Sequence, residues 1–245
     1  MKRITTETTD FQRIEVWGSG QEVDFRVAGA THATWHRDRF LTGMAWDAIT
    51  AGVLLRGAGP AGSLLMMGLG GGTALRQIRH ILPRVKITAL ELDHGMIALA
   101  RKFMHLDELD IEIIPGDAYA WMLRNKRRYD VIVDDVYGSG ELDVSRPTVY
   151  IPELAAALQR SLAPKGVFAA NLLTGPGHRK MQSAFRQFFR ATFPVVRHIV
   201  PRHSWNETVV GGTDLATASR LRPYAYLWPH AKDQALWREL RCGRL

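Results

Sequence analysis

With 245 residues, 46% of them apolar and 23% charged, the chain has room for one large α/β domain and a small appendage, and its make-up is that of an ordinary globular protein. No apolar run is long enough to span a bilayer, Arg56 and Pro60 breaking the best candidate, and the polar first ten residues lack an apolar signal core. The single cysteine, Cys242, excludes an internal disulfide and a cysteine-based zinc site, so a cytoplasmic location without a membrane partner is the default expectation.

In chain order, residues 11–28 read as a hairpin. Ile14 and Val16 alternate with polar neighbours, Gly18-Ser19-Gly20 supplies the turn, and Val23, Phe25 and Val27 alternate again. Residues 28–35 add another strand. Residues 37–55 have a helical pattern, with Phe40, Leu41, Met44, Ala45, Ala48 and Ile49 on one face. The pattern divides a small N-terminal β-hairpin domain, 1–38, from a main domain, 39–245. After a loop at 57–62 comes the stretch around which the rest is organised. An apolar strand, Leu64 to Met67, enters the cluster Gly68, Gly70, Gly71 and Gly72; a helix through Leu75, Ile78, Ile81 and Leu82 follows; a second strand, Val85 to Leu90, delivers Glu91 at its tip. Further on, helices at 93–103, 119–123, 151–162 and 178–193 alternate with strands at 111–114, 129–133 and 166–173, and strands at 195–200 and 205–210 close the pattern. A loop is expected at 136–147. Strand–helix alternation of this kind implies α/β architecture, with a mostly parallel sheet and helices on both faces.

In such sheets ligands bind beyond the carboxyl ends of the strands. Four consecutive tips carry the glycine cluster, Glu91, Asp117 and the pair Asp134-Asp135. Glycines let backbone approach a ligand, and a carboxylate at the second tip can accept both hydroxyls of a ribose. Asp117 with the Ala118 amide can meet an adenine edge, although Asp117 could equally cap the helix after it. One of Asp134 and Asp135 would face the reaction centre. An acidic rim suits a cationic ligand such as a sulfonium better than a pyrophosphate.

These motifs resemble the spermidine synthase family, the polyamine aminopropyltransferases, and more broadly the Rossmann-type S-adenosylmethionine-dependent methyltransferases. The family's G-G-G-D-G-G is similar to Gly68-Leu69-Gly70-Gly71-Gly72-Thr73, its E-I-D to Glu91-Leu92-Asp93, and its G-D-A to Gly116-Asp117-Ala118. Its D-V-I-I-x-D-S-S-D-P is similar to the ten residues from Asp130 to Ser139, and its L-x-P-x-G-V to Leu162 to Val167. The resemblance implies a Rossmann-like methyltransferase-type sheet behind a small β domain. It implies S-adenosylmethionine or its decarboxylated form as co-substrate, without a metal, held by Gly68, Gly70, Gly71, Gly72, Glu91, Leu92, Asp117, Ala118 and Asp134. It also implies Asp135 as the base that deprotonates an attacking amine, and a homodimer or homotetramer. Tyr137, and His36 with Trp35 from the covering β domain, are candidates for the acceptor side.

Two departures bear on the chemistry. The family aspartate that holds the aminopropyl ammonium falls at Gly71, and the one that helps hold the diamine falls at Gly138. Loss of an ionic partner typically costs orders of magnitude in affinity. The expectation is therefore a transferase alkylating a small acceptor, such as an amine, with methyl transfer slightly ahead of aminopropyl transfer. The alternatives are an aminopropyltransferase with an altered acceptor and a non-catalytic nucleoside-binding protein. The net charge of +8 collects in residues 175–245, where twelve Lys or Arg face four Asp or Glu. A solvated basic face accounts for it, and a nucleic-acid partner ranks last.

Overall fold

Four strands, β1 (Lys2–Thr8), β2 (Arg13–Gly18), β3 (Glu22–Val27) and β4 (Ala30–His36), pair antiparallel in chain order. The alternation predicted for β2 and β3 is physical: Ile14, Val16, Phe25 and Val27 are buried, with Ala33 of β4 beside them. β1 was not expected. Its sequence, Lys-Arg-Ile-Thr-Thr-Glu-Thr, buries no residue fully and so has no apolar stripe to betray it. The computed structural model describes residues 1–139, 144–145, 150–175 and 177–245.

The first helix, α1 (Ala45–Val53), begins well after the expected residue 37. Asp47, fully buried, accepts the backbone N–H groups of Thr42 at 3.1 Å and Gly43 at 2.7 Å, and Gly43 has φ +77°, so the preceding segment is pinned outside helical geometry. The alternation then runs β5 (Ser63–Met67), α2 (Thr73–Ile81), β6 (Lys86–Glu91), α3 (His94–Phe103), β7 (Glu112–Pro115), α4 (Ala118–Arg124) and β8 (Tyr129–Asp134). Two-residue strands β9 (Gly138–Ser139) and β10 (Val144–Ser145) pair within the expected loop at 136–147, of which residues 140–143 and 146–147 lie outside the described residues. Next come α5 (Pro152–Ser161), β11 (Leu162–Leu173), α6 (Arg179–Thr192), β12 (Val195–Val200) and β13 (Asn206–Gly212). Two short 3-10 turns lead to α7 (Ala231–Arg238) and β14 (Arg241–Arg244), neither of which periodicity announced.

The main sheet has the order β14-β12-β13-β11-β8-β5-β6-β7. The five strands from β11 to β7 are parallel, and β13, β12 and β14 extend it antiparallel. A parallel strand covered on both faces reads as an unbroken apolar run, because alternate residues serve opposite cores. On β5, Leu64 and Met66 join one core with α1, α2 and α3, while Leu65 and Met67 join the other with α4, α5 and α6. The fold is thus α/β, Rossmann-like, with helices on both faces of a mostly parallel sheet and an antiparallel four-stranded sheet at its N-terminal end. No helix among the described residues is long and apolar enough to cross a membrane.

The small sheet shares the first of these cores, through Ile14, Val16, Phe25, Val27 and Ala33. Two polar clasps add to the apolar contact. Thr73, at the start of α2, donates its hydroxyl to the Thr34 carbonyl at 3.0 Å and accepts the Thr34 N–H at 2.9 Å. Asp93 caps α3 through the Gly95 and Met96 N–H groups and also accepts the Thr9 hydroxyl at 2.8 Å and the Gln12 amide at 3.0 Å. The turns after β5 and β6 are therefore both fastened to the small sheet.

Candidate functional site

A cleft of about 590 Å³ opens at the carboxyl ends of β5, β6, β7 and β8, under the small sheet. Its volume is within the range of a small-molecule site. Gly68 and Gly70 line it. Gly68 has φ +85°, and a Cβ there would stand 2.5 Å from the Asp135 carbonyl oxygen, so only glycine lets the β5 and β8 tips approach. Gly71 and Gly72 do not line the cleft. Gly72 is the left-handed N-cap of α2. A Cβ on Gly71 would point away from the cleft and overlap the Cβ of Ala33, with Phe25 at 3.4 Å and Met104 at 3.5 Å. Its lack of a side chain serves packing of the small sheet against the turn.

Glu91 lines the cleft, and its carboxylate is engaged with the glycine turn. One oxygen accepts the Leu69 and Gly70 N–H groups at 3.1 and 2.8 Å, and the other accepts the Asp93 N–H at 3.0 Å. Burial pushes its pKa up, and these hydrogen bonds oppose the shift. A carboxylate offers about four acceptor positions. A ribose diol that uses Glu91 must therefore share or displace its contacts with the turn. Leu92, 43% exposed, presents an apolar face to the same cleft. Asp117 and Ala118 line it as well, and one oxygen of Asp117 caps α4 by accepting the Tyr119 and Ala120 N–H groups at 2.8 and 3.0 Å. The capping role and a place in the cleft coexist in this residue.

The two adjacent aspartates part company because successive residues of a strand face opposite ways. Asp134 is fully buried on the α4–α5 side, where the Tyr150 and Tyr119 hydroxyls and the Val136 N–H donate to it. It does not line the cleft. Asp135 does, and the side-chain amide of Asn171 donates to its Oδ1 at 2.8 Å. Tyr137 also lines the cleft, with its hydroxyl donating to the Asn171 carbonyl at 2.7 Å. Gly138 borders the cleft too, and a Cβ there would meet no described atom within 4 Å.

Trp35 and His36 lie elsewhere. Trp35 stacks on His105 at 4.7 Å with the Arg76 guanidinium 5.5 Å from its ring centre, and His36 accepts the Asp38 N–H. Burial pulls the His36 imidazole below its ordinary value. From the small sheet, Ala30, Thr31 and His32, the last also a candidate for the acceptor entrance, reach the cleft. Sequence reasoning gave Asn171 and Asn206 no part in the site, yet both line the cleft with His203, Ser204 and Trp205. Trp205 is 69% exposed at its mouth, an unusual place for an indole. Among the described residues, no group of three or more His, Cys, Asp or Glu is placed to hold a metal ion.

No family model matches the chain. Over 137 residues it is 32% identical to a probable polyamine aminopropyl transferase of Bifidobacterium longum, a match covering 56% of this chain and 29% of that protein. Over 220 residues it is 22% identical to a polyamine aminopropyltransferase of Shigella dysenteriae, covering 81% of this chain and 72% of that one. The match thus spans less than a third of the Bifidobacterium relative's length. Among solved structures, spermidine synthase from Thermotoga maritima superposes with a TM-score of 0.68 at 19% identity, over 94% of this chain and 79% of that one. Human methyltransferase-like protein 13 in complex with SAH superposes with a TM-score of 0.61 at 21% identity, over 80% and 93%. In sequence the chain is thus similar to polyamine aminopropyltransferases, and its fold is the Rossmann-like one shared by spermidine synthases and methyltransferases.

Proposed function

We propose that the protein is a transferase that binds an S-adenosylmethionine-type nucleoside and moves an alkyl group from its sulfonium to a small amine, aminopropyl transfer being the first choice. One observation carries the reading: Asp135, the carboxylate at the β8 tip, faces the cleft beside the glycine turn and is held by Asn171 at 2.8 Å. The nucleoside end is formed by Gly68, Gly70, Glu91, Leu92, Asp117 and Ala118. At the other end, Tyr137, Asn171, Asn206 and Trp205 surround the place for an acceptor.

In the reaction, the acceptor nitrogen attacks the carbon next to sulfur, a C–N bond forms as the C–S bond breaks, and the nucleoside leaves as a neutral thioether. An amine is mostly protonated at neutral pH, so a base must take its proton before the nitrogen can attack; Asp135 is placed to do so. The remaining acceleration comes from holding nitrogen, carbon and sulfur in line.

The order of the two transfers changes from the one expected. Methyl transfer was put first because Gly71 would leave room for a methionine carboxylate, but Gly71 faces Ala33 rather than the cleft. The relatives carry the aminopropyltransferase name, and a related spermidine synthase was solved with the transition-state analogue AdoDATO. Methyl transfer remains the second reading, favoured by the methyltransferase superposition and by the glycine at position 138. Calorimetry with S-adenosylmethionine and its decarboxylated form, followed by mass spectrometry of products from a panel of amines, tests the proposal. Tighter binding of the decarboxylated form and a mass gain of one aminopropyl group are expected. Binding of neither nucleoside would refute it.

A further inference from the structure

We propose that Asn171 is a positioning residue that, backed by Asn206 and Ser204, holds the carboxyl of Asp135 in its ionised form; this rests on the reading of Asp135 as the base. The strand register brings the pair together. β8 and β11 align Asp134 with Ala170, so Asp135 and Asn171 are the next residues of neighbouring parallel strands. Asn171 is only 4% exposed, so its amide must be satisfied from within the protein.

The contacts run one way. The Ser204 hydroxyl donates to Asn206 Oδ1, Asn206 Nδ2 donates to Asn171 Oδ1 at 3.0 Å, and Asn171 Nδ2 donates to Asp135 Oδ1 at 2.8 Å. An ionised carboxylate accepts and cannot donate. It therefore requires Nδ2 of Asn171 to face it, which turns Oδ1 of Asn171 toward Asn206 and orients that amide in turn. Each dipole in the chain points its positive end at Asp135, and successive hydrogen bonds of this kind polarise one another. Tyr137 steadies the same point by donating its hydroxyl to the Asn171 carbonyl. A buried asparagine that merely filled space at a strand end would not need this order.

Among the described residues, the other titratable groups that line the cleft are His32, His203, Glu91, Asp117, Tyr119 and Tyr137. Asp134, on the same strand, faces the opposite side. None of these is altered in the variants below, so a change in Asp135 titration between them reports on the amide chain.

The test follows the Asp135 carboxyl carbon by NMR in protein labelled with 13C at the aspartate side-chain carboxyl, its signal assigned by its loss in Asp135→Asn. Removing a hydrogen bond to a charged acceptor should raise the titration midpoint by about 1–2 pH units in Asn171→Ala. Asn206→Ala, one step removed, should raise it by a smaller amount. Asn171→Asp keeps the shape of the side chain but replaces the donor with a second carboxylate, and should raise it furthest. A midpoint that stays put in folded Asn171→Ala and Asn171→Asp overturns the proposal. The acid limb of the pH–rate profile should follow the midpoint upward. If the carbon midpoint moves and the limb does not, the positioning role stands and the assignment of Asp135 as base fails.

Discussion

Placing an aspartate at Gly71 restores the ammonium clamp of the resembled family on paper, but the structure predicts a damaged protein without a new clamp. A Cβ at this position overlaps Ala33 of β4 and comes within 3.4 Å of Phe25 and 3.5 Å of Met104, all in the core shared by the small sheet. Overpacking of a filled core typically costs about 1–3 kcal/mol, the expectation for Gly71→Ala. Gly71→Asp adds the cost of a carboxylate facing apolar side chains and should be worse. For a chain of this size each kcal/mol lowers the melting temperature by roughly 2–4 °C, so Gly71→Ala should melt about 2–12 °C below wild type. The steric origin can be isolated. Ala33→Gly removes the opposing Cβ, and in that background Gly71→Ala should cost less, with a coupling of about 0.5–3 kcal/mol in the double-mutant cycle. Thermal denaturation of the four proteins measures the coupling, and calorimetry with putrescine on Gly71→Asp measures any clamp. A Gly71→Asp protein as stable as wild type that binds putrescine more tightly would refute the reasoning and return position 71 to the cleft.

Gly138→Asp, by contrast, meets no described atom within 4 Å of its Cβ at the cleft and should tighten diamine binding by roughly tenfold, the scale of one charge-assisted contact; calorimetry with putrescine checks it. Glu91→Ala should weaken nucleoside binding at least tenfold and loosen the glycine turn, which loses the acceptor for Leu69 and Gly70, so amide exchange at those residues should quicken along with the loss of affinity. Asp135→Asn should retain nucleoside affinity while turnover falls on the order of a hundredfold, and full turnover in this variant would remove it as the base. Asp47 gives a pH test. Burial raises its pKa to about 6 from 3.8, so the folded state holds the proton more tightly, and the stability this group contributes is full below pH 3.8 and lost as pH rises through 6. The stability difference between wild type and Asp47→Asn should therefore shift toward the variant by about 2 kcal/mol from pH 4 to pH 7 in denaturant melts. A pH-independent difference would count against the shift.

What could be read in the chain beforehand was whatever backbone geometry imposes on local sequence. The unbroken apolar run of β5, the glycines at the sharp turn and the acid at the β6 tip are consequences of a parallel strand entering a helix, so they stand next to one another in sequence. Asp135 was legible for the same reason, being the first residue past β8. Asn171 was not, because nothing in Ala-Ala-Asn-Leu-Leu distinguishes a buried amide from a strand end until the register sets it beside β8. Ser204 and Asn206 reach the cleft only because β13 inserts antiparallel between β11 and β12, a choice that periodicity does not encode. The late start of α1 had a similar cause. Residues 37–44 carry the helical apolar spacing, but Asp47 and, from far along the chain, Asp233 capture the backbone N–H groups of Gly43 and Phe40. Of the β4 residues that the resemblance suggested for an acceptor entrance, His32 lines the cleft and Trp35 and His36 do not.

The clasps between the small sheet and the turns after β5 and β6 have a consequence for motion. The bonds of Thr34 to Thr73 and of Thr9 and Gln12 to Asp93 tie the small sheet to the starts of α2 and α3, so the sheet and the mouth of the cleft should open together in one cooperative unit. A ligand seated on the glycine turn would then slow deuterium uptake along β3 and β4, on strands it scarcely touches. Binding at the turn would be felt as rigidity across the whole lid, and the lid's own fluctuations would set how quickly the cleft exchanges its contents.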